Sequence, residues 1–175
     1  MEKEFKTRKE IRMKNIDYSR NGLYFITICT KDRTPYLSEI KNSPVDVGAD
    51  IIRPIMNYTE IGNLTEKSIK QIHKHYDDVS VFKYCIMPDH IHMIISIMHE
   101  IKTADSGRIL SAPTIPQIIG SLKRYISKNT GIKLWQKSYY DRIIRNEREF
   151  LEICDYIENN PLNWINNKFN LNKWR

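Results

Sequence analysis

Long hydrophobic runs are missing from this sequence of 175 residues. No run approaches the roughly 20 apolar residues that a membrane-spanning helix needs. The first five residues, Met1 to Phe5, are mostly charged and lack the apolar core of a secretory signal peptide. These absences argue against a helical membrane protein and a secreted protein, so we expect a cytoplasmic protein with no membrane partner.

Cysteine is also scarce, with three residues at Cys29, Cys85 and Cys154. An odd number at wide spacing matches neither a disulfide framework nor a zinc-ligand pattern. Each cysteine lies inside an apolar pattern, which favours three buried thiols.

What remains is the composition of an ordinary globular protein, 41% hydrophobic and 28% charged, most simply a single domain over residues 1–175. The net charge of +7 and the pI near 9.2 favour a polyanionic partner where basic residues cluster. They cluster first in residues 1–20, which we interpret as a basic N-terminal arm. Arg8, Lys9 and Arg12 are its candidate phosphate contacts, with a solvated tail as the equal alternative.

Hydrophobic periodicity predicts strands and helices in alternation. Residues 23–29 are apolar on both faces, as in a central strand. Residues 31–57 show no sustained period and are left open, with room for a short strand. Thr59 is placed to cap a helix that runs to about Tyr76. Residues 79–87 then form a second strand.

The second half of the chain repeats the pattern after a tight hairpin into a strand that begins at His90. Residues 98–113 are polar and aperiodic and predict a flexible loop. The clearest helical period follows from Ile115 to Ile126, and residues 134–144 carry the β-formers of a last strand. The resulting βαββαβ order predicts an α+β, ferredoxin-like fold, an antiparallel sheet with helices on one face.

A final helix beyond that unit is free to cross the open face of the sheet. Asn146 and Glu149 form a capping box in the broad sense at its start. Pro161 disfavours helical geometry at Asn160, which predicts that the helix ends there. Residues 162–175 are then a C-terminal tail.

The strand of residues 90–97 separates two kinds of side chain by its period of two. One side is apolar and predicts a core contact, whereas the other carries His90 and His92 and faces the open side. The two imidazoles lie about 6–7 Å apart along such a strand. Two imidazoles at this distance are the start of a divalent-metal site that needs one or two more ligands. A partly exposed strand that merely carries two histidines is equally consistent with the spacing.

The final helix offers the missing groups. Tyr156 and Asn160 are four residues apart and lie on the same side of that helix. The amide oxygen of Asn160, with two imidazoles, suits Mg²⁺ or Mn²⁺. Tyr156 supplies a phenol, although a tyrosine at such a position is most often a packing residue.

Three blocks of sequence resemble a known family. Residues 87–92, MPDHIH, look like the HUH motif of one-tyrosine, single-strand DNA transposases. Residues 135–146, followed by residues 155–161, are similar to the REP-associated tyrosine transposases of the IS200-like superfamily. The resemblance runs from about Tyr18 to Trp164, with the blocks in the family's order.

The resemblance implies a role for each of the four residues. His90, His92 and Asn160 are implied metal ligands for Mg²⁺ or Mn²⁺, and Tyr156 is the implied nucleophile. The phenolate would attack a DNA phosphate and leave a 5′-phosphotyrosine and a 3′-OH. A second 3′-OH could then reseal the link. The implied partner is single-stranded DNA with a hairpin or repeat, bound by a monomer or a homodimer.

Other residues are candidates for contact with DNA. Phosphate contacts and base stacking call for basic and aromatic side chains, each of which is as consistent with a structural role. The candidates are Lys123, Arg124, Arg142 and Arg145 for phosphates, and Trp135 and Tyr139 for bases. Tyr139 and Tyr140 are also rival nucleophiles, ranked lower because a strand tyrosine lacks the ligand four residues on.

Three alternative functions stay open. A replication initiator or relaxase-type nickase shares the chemistry, but the chain is short and lacks a helicase or second tyrosine motif. A domesticated, non-catalytic binder of structured single-stranded DNA would keep the salt-dependent affinity without the reaction. A zinc hydrolase is disfavoured because no Asp or Glu is spaced as a further ligand or base.

Overall fold

The computed structural model describes residues 21–41, 54–98 and 113–166. The predicted arm (1–20), most of the predicted loop (99–112) and the end of the predicted tail (167–175) lie outside these ranges, as do Arg8, Lys9 and Arg12. The elements in chain order are β1 (Gly22–Cys29), β2 (Ser38–Lys41), β3 (Ile55–Tyr58), α1 (Glu60–Lys70), α2 (Ile72–His75), β4 (Val79–Ile86), β5 (His90–Ile97), α3 (Ile115–Thr130), β6 (Tyr140–Ile144) and α4 (Glu147–Asn166).

Four strands form an antiparallel sheet in the order β4-β5-β1-β6. β2 and β3 pair as a separate two-stranded ribbon inside the segment that the sequence left open. With the ribbon set aside, strands and helical segments follow as β-α-β-β-α-β. The predicted α+β fold with a four-stranded antiparallel sheet and helices is therefore confirmed.

The period of two in the strands divides the core into two clusters. Ile91, Met93, Ile95 and Ile97 of β5 pack with apolar residues of α1, α2 and α3 on one face. On the other face, Phe25 and Ile94 pack with Ile153 and Ile157 of α4. The last helix therefore lies across the sheet face that carries the histidines.

Helix starts follow the capping residues. Thr59 Oγ1 accepts a hydrogen bond from the Gly62 amide at 3.0 Å, as the sequence predicts for the start of α1. The predicted single helix to Tyr76 is interrupted at Gln71, which separates α1 from the four-residue α2. α3 begins with a capping box of Thr114 and Gln117.

Two predicted boundaries are wrong. α4 does not end at Asn160 but continues through Pro161 to Asn166. Proline costs that turn one hydrogen bond, and the packing of Trp164 against the second cluster offsets the loss. The last strand is restricted to Tyr140–Ile144. Of residues 134–139, Trp135 makes an isolated antiparallel bridge with Thr30, and the apolar side chains are buried in the first cluster.

The described residues also bear on the cysteines and on membrane-spanning helices. Cys29, Cys85 and Cys154 are buried, and none of the three is in a disulfide, as predicted. In the three described ranges, no helix combines the length and the apolar character needed to cross a membrane.

Candidate active site

Strand pairing fixes the two histidines of β5. β5 begins at His90, directly after the Pro88–Asp89 turn, and pairs with β1 so that His92 lies opposite Thr27. The Thr27 hydroxyl is 2.8 Å from His92 Nδ1. The two imidazole centroids are 4.5 Å apart, with the rings at 76° to each other. The sheet therefore holds both rings beside each other on one face.

α4 brings the phenol of Tyr156 to this pair. Tyr156 Oη lies 3.2 Å from His92 Nε2. Phe25 stacks on the His92 ring at 5.4 Å and meets the Tyr156 ring edge-on at 6.1 Å. Asn160, one helical turn after Tyr156, is buried and hydrogen-bonded to the phenol. The residues that the sequence singled out on β5 and α4 are thus brought together.

Burial sets the protonation state of the imidazoles. His90 is 1% exposed and His92 is 5% exposed, because α4 covers the face of the sheet across which the sequence predicted the final helix. Burial lowers the pKa of His90 and lowers the pKa of His92 well below its usual value. The neighbouring His90 and the charge of Arg33 add to the lowering for His92. Both rings are neutral at pH 7, which is the form that binds metal ions.

The nitrogen of His90 that faces away from Asp89 has no partner in the described part of the chain. His90 Nδ1 lies 2.6 Å from Asp89 Oδ1, and Asp89 Oδ2 pairs with Arg33 Nε at 2.8 Å. His90 Nε2 is buried, and within the described ranges it makes no hydrogen bond. A buried lone pair is costly unless something binds it. With His92 and the amide oxygen of Asn160, this orphaned nitrogen fits a divalent cation of the Mg²⁺ or Mn²⁺ kind.

The electrostatics of Tyr156 have opposing causes. Burial raises the pKa of the phenol above its ordinary value. The hydrogen bond from Asn160 and the charge of Arg33 act in the opposite direction and lower it. Burial has the largest effect, so the phenol is protonated at neutral pH and needs a partner to become a nucleophile.

Two of the predicted aromatic DNA contacts are elsewhere. Trp135 and Tyr139 are each 6% exposed and belong to the first cluster, on the opposite side of the sheet from the histidines. The structure therefore does not bring Trp135 and Tyr139 together with the histidines, and their proposed base stacking stays a prediction. Tyr140 is 37% exposed and pairs with Thr27, so it shares the histidine face at roughly 10 Å from His92. Tyr140 therefore remains the rival to test.

The predicted basic contacts divide in the same way. Lys123 Nζ donates to the carbonyl oxygens of Gln136, Lys137 and Ser138 in the loop before β6, at 2.6, 3.3 and 3.3 Å. Burial lowers the pKa of this ammonium, and the three carbonyl oxygens already engage it, so its phosphate contact stays a prediction.

The remaining basic candidates are closer to solvent. Arg142 is paired with Glu149 but keeps 44% of its side chain exposed. Arg124 and Arg145 are exposed and stay candidates for phosphate contact.

Three residues of the site were missed by sequence reasoning. Thr27 could have been found from the antiparallel pairing of β1 with β5, and Asp89 from its position next to His90. Arg33 comes from a short 3-10 turn after β1, in a segment without periodicity, and no sequence signal indicates it.

Comparisons with known proteins converge on one family. The family described as “Transposase IS200 like” matches residues 18–160. An uncharacterized protein of Haemophilus influenzae is 33% identical over 172 residues, which cover 90% of this chain and 89% of that protein. A second Haemophilus influenzae protein, named “Putative REP-associated tyrosine transposase”, is 28% identical over 156 residues, with 83% of this chain and 73% of that protein covered.

A solved structure shares the fold. It is described as a REP-associated tyrosine transposase bound to a REP hairpin, and it superposes on this chain with a TM-score of 0.58. The match covers 86% of this chain and 73% of that chain, at 17% identity.

Proposed function

Because the chain belongs to the family of IS200-like transposases, we propose that it nicks and joins single-stranded DNA through a covalent 5′-phosphotyrosine on Tyr156. The observation that carries the proposal is the position of the Tyr156 hydroxyl, 3.2 Å from His92 Nε2 and next to the Asn160 amide. A tyrosine that served only in packing would need neither neighbour.

The metal ligands in this proposal are His90, His92 and Asn160. Bound there, Mg²⁺ or Mn²⁺ would polarise the scissile phosphate and stabilise the negative charge that develops on it. An amide that donates its NH₂ to the phenol oxygen keeps its carbonyl oxygen available for a cation. Asn160 can therefore bind a cation and orient Tyr156 at the same time.

The chain's own residues prepare the nucleophile. Thr27, at 2.8 Å from His92 Nδ1, fixes the ring so that Nε2 points toward Tyr156. The Asn160 hydrogen bond and the Arg33 charge favour the phenolate over the phenol. The phenol gives up its proton to solvent, and the Tyr156 Oη–phosphorus bond forms as the bond from phosphorus to the 3′ oxygen breaks. The leaving 3′ oxygen takes up a proton from solvent, so the step leaves the proton count unchanged.

The product explains why joining needs no nucleotide cofactor. The phosphotyrosine keeps the energy of the broken phosphodiester, so attack by a 3′-OH from another strand restores a phosphodiester and releases Tyr156. We propose structured single-stranded DNA, with a hairpin or repeat, as the substrate. Support comes from the net charge of +7, from the exposed Arg124 and Arg145, and from the hairpin-bound protein of the same fold.

Covalent capture tests the function. Labelled single-stranded DNA with hairpins from the flanks of the gene is incubated with the protein and Mn²⁺, and adducts that survive SDS are resolved on a gel. We expect an adduct with the wild type and none with Tyr156→Phe. Tyr140→Phe is the matched control, because Tyr140 lies on the same sheet face, and it should form the adduct.

Each other outcome selects a different function. Hairpin binding without any adduct would favour the non-catalytic binder. An adduct that never transfers to an added 3′-OH would favour the nickase. An adduct that persists in Tyr156→Phe and is lost in Tyr140→Phe would move the nucleophile to β6.

A further inference from the structure

Asp89 occupies a buried position beside the proposed metal ligands. Its side chain is 8% exposed, with Oδ1 2.6 Å from His90 Nδ1 and Oδ2 2.8 Å from Arg33 Nε. Each carboxylate oxygen therefore faces one partner. Arg33 Nη2 also lies near His90 Nδ1, but at 3.4 Å, and its N–H could bond there only to a lone pair. The carboxylate contact at 2.6 Å is far shorter and is typical of a charge-assisted hydrogen bond, so we assign the hydrogen of His90 to Nδ1.

The same contact determines what His90 Nε2 can do. In neutral imidazole, one nitrogen carries the hydrogen and the other carries a lone pair. With the hydrogen on Nδ1, Nε2 carries the lone pair, and this is the buried atom that makes no hydrogen bond within the described ranges. Asp89 thus selects the tautomer in which His90 Nε2 can bind a cation, in a ring that lies 4.5 Å from that of His92.

Arg33 contacts Asp89 from a turn whose backbone conformation is unusual. Asp32 and Arg33 have φ of 55° and 58°, in the left-handed region that residues other than glycine rarely adopt. Such conformations persist only where the surroundings hold them, and they concentrate at functional sites. Here the turn directs the Arg33 guanidinium at Asp89 and, through Nη1, at the Cys29 sulfur at 2.8 Å.

We propose that Asp89 and Arg33 are positioning residues for the metal: Asp89 holds His90 in the Nδ1–H tautomer, and Arg33 orients Asp89. Carboxylates that hold metal-binding histidines in this way commonly raise metal affinity by 10–100-fold. The inference rests on the proposed function for the identity of the cation, whereas the tautomer of His90 can be examined in the metal-free protein.

The experiment combines NMR with Mn²⁺ titration. Imidazole ¹⁵N spectra of the metal-free wild type at neutral pH should show His90 with its hydrogen on Nδ1. Mn²⁺ affinity, measured by the loss of the free-ion EPR signal, should fall about 10–100-fold in Asp89→Asn. Arg33→Lys keeps the charge but loses the fixed guanidinium geometry, so its affinity should fall by less than that of Asp89→Asn.

The matched control is Asp32→Asn. This variant also removes one negative charge, at the residue directly before Arg33. The Asp32 side chain, however, is 79% exposed and pairs only weakly with Lys31 at 3.9 Å. Asparagine also tolerates a positive φ. Mn²⁺ affinity should therefore be unchanged in this variant, which separates positioning from a general electrostatic effect.

The outcomes distinguish this inference from the function on which it rests. A wild type that binds no Mn²⁺ would overturn the metal-dependent function together with the positioning role. A wild type that binds Mn²⁺, with equal affinity in Asp89→Asn, would overturn only the positioning role. If Asp89→Asn does not fold, the wild-type spectrum decides, since a hydrogen on His90 Nε2 would contradict the inference.

Discussion

At the scale of single residues, the proposed site places polar nitrogen and oxygen atoms in the protein interior, where they are unfavourable unless something binds them. His90, His92 and Asn160 are all less than 10% exposed, and Tyr156 is part-buried. Burial keeps the imidazoles neutral, as metal binding requires, but it also raises the pKa of the phenol. A cation beside Tyr156 would reverse the second effect because positive charge favours the phenolate.

Metal removal is the first prediction at this scale. With EDTA present, the wild type should form no SDS-stable adduct, since the phenol would stay protonated and the phosphate unpolarised. Added Mn²⁺ or Mg²⁺ in excess should restore the adduct. Gel quantification with and without chelator measures this, and full adduct formation in EDTA would remove His90, His92 and Asn160 from the mechanism.

His90→Ala is the second prediction. A histidine on an open sheet face would be dispensable for folding, but His90 is buried and hydrogen-bonded to Asp89. Removal of the ring leaves the Asp89 carboxylate short of a partner, so we expect a loss of about 1–3 kcal/mol in the free energy of unfolding. Urea denaturation measures it. His73→Ala, at an exposed histidine of α2, should change stability by no more than about 0.5 kcal/mol.

Some residues of the proposed site could be predicted from the sequence, and others could not. The period of two places His90 and His92 on one face, and the spacing of four places Tyr156 and Asn160 on one side of a helix, because local geometry determines which side chains share a face. Their roles come from the family resemblance. Their burial depends on how α4 docks, which local patterns do not encode. Arg33 escapes prediction altogether because a left-handed turn without glycine has no sequence signature.

At the scale of elements, the turn before β5 is supported from the side of α1. The Leu37 amide donates to the Pro88 oxygen at 2.9 Å, and the Leu37 oxygen accepts from the Thr59 amide at 3.1 Å. Gly62 of α1 lies directly against that Leu37 carbonyl. The close approach of helix and chain at Gly62 therefore contributes to the position of the Pro88–Asp89 turn and of His90 after it.

Gly62→Ala tests this support. A Cβ at Gly62 would overlap the Leu37 oxygen and lie 3.1 Å from the Tyr58 Cβ, so backbone must shift. We expect a loss of about 1–3 kcal/mol in the free energy of unfolding, as for other overpacked sites. The control is Gly120→Ala in α3, where a Cβ meets nothing within 4 Å, and thermal melts should show it to be more stable by about 1 kcal/mol. Equal melting of the two variants would contradict the close approach at Gly62.

Lys123 gives the second prediction for an element. Its ammonium joins α3 to the loop before β6 through three carbonyl oxygens. Lys123→Met keeps the apolar stem but leaves these acceptors without their donor, which should cost about 1–3 kcal/mol of stability. Because Lys123 is engaged in this way, the salt dependence of hairpin binding should not change.

Arg124→Met is the matched control for Lys123→Met. Arg124 is the exposed neighbour, so its loss should spare stability and reduce the slope of log K against log salt by about 0.7 if it contacts one phosphate. Chemical denaturation and binding titrations at several salt concentrations separate the two variants. If Lys123→Met instead reduces the salt slope and leaves stability unchanged, Lys123 contacts a DNA phosphate.

Elements were predictable where one local signal dominated. The alternation of β5, the cap at Thr59 and the stripe of α3 each lie within a few residues, and tertiary contacts agree with them. Predictions failed where packing overrode the local signal. α4 continues beyond Pro161, where Trp164 packs against the second cluster. Residues 134–139 contribute a single antiparallel bridge from Trp135 to Thr30 and no strand, with Trp135 and Tyr139 buried in the first cluster.

At the scale of the whole molecule, the charge of +7 is unevenly distributed. Several basic residues of the described ranges are occupied, with Lys123 on carbonyl oxygens and Arg142 on Glu149. We therefore expect the free energy of DNA binding to depend more on other basic side chains than on Lys123 and Arg142. The N-terminal segment of residues 1–20 holds seven basic residues, of which Arg8, Lys9 and Arg12 are the candidate phosphate contacts.

Deletion of residues 1–12 is the prediction that follows. Each phosphate contact to single-stranded DNA releases about 0.7 counterion, so the loss of three contacts should reduce the slope of log K against log salt by about 2. Hairpin affinity at low salt should fall, while the melting temperature of the remaining protein stays the same. The triple variant Arg8→Gln, Lys9→Gln and Arg12→Gln is the matched control. It keeps the segment's length and should reproduce the change in slope, because the effect comes from charge. Binding titrations from low to high salt decide between the two roles, and an unchanged slope in both proteins would assign residues 1–12 to a solvated tail.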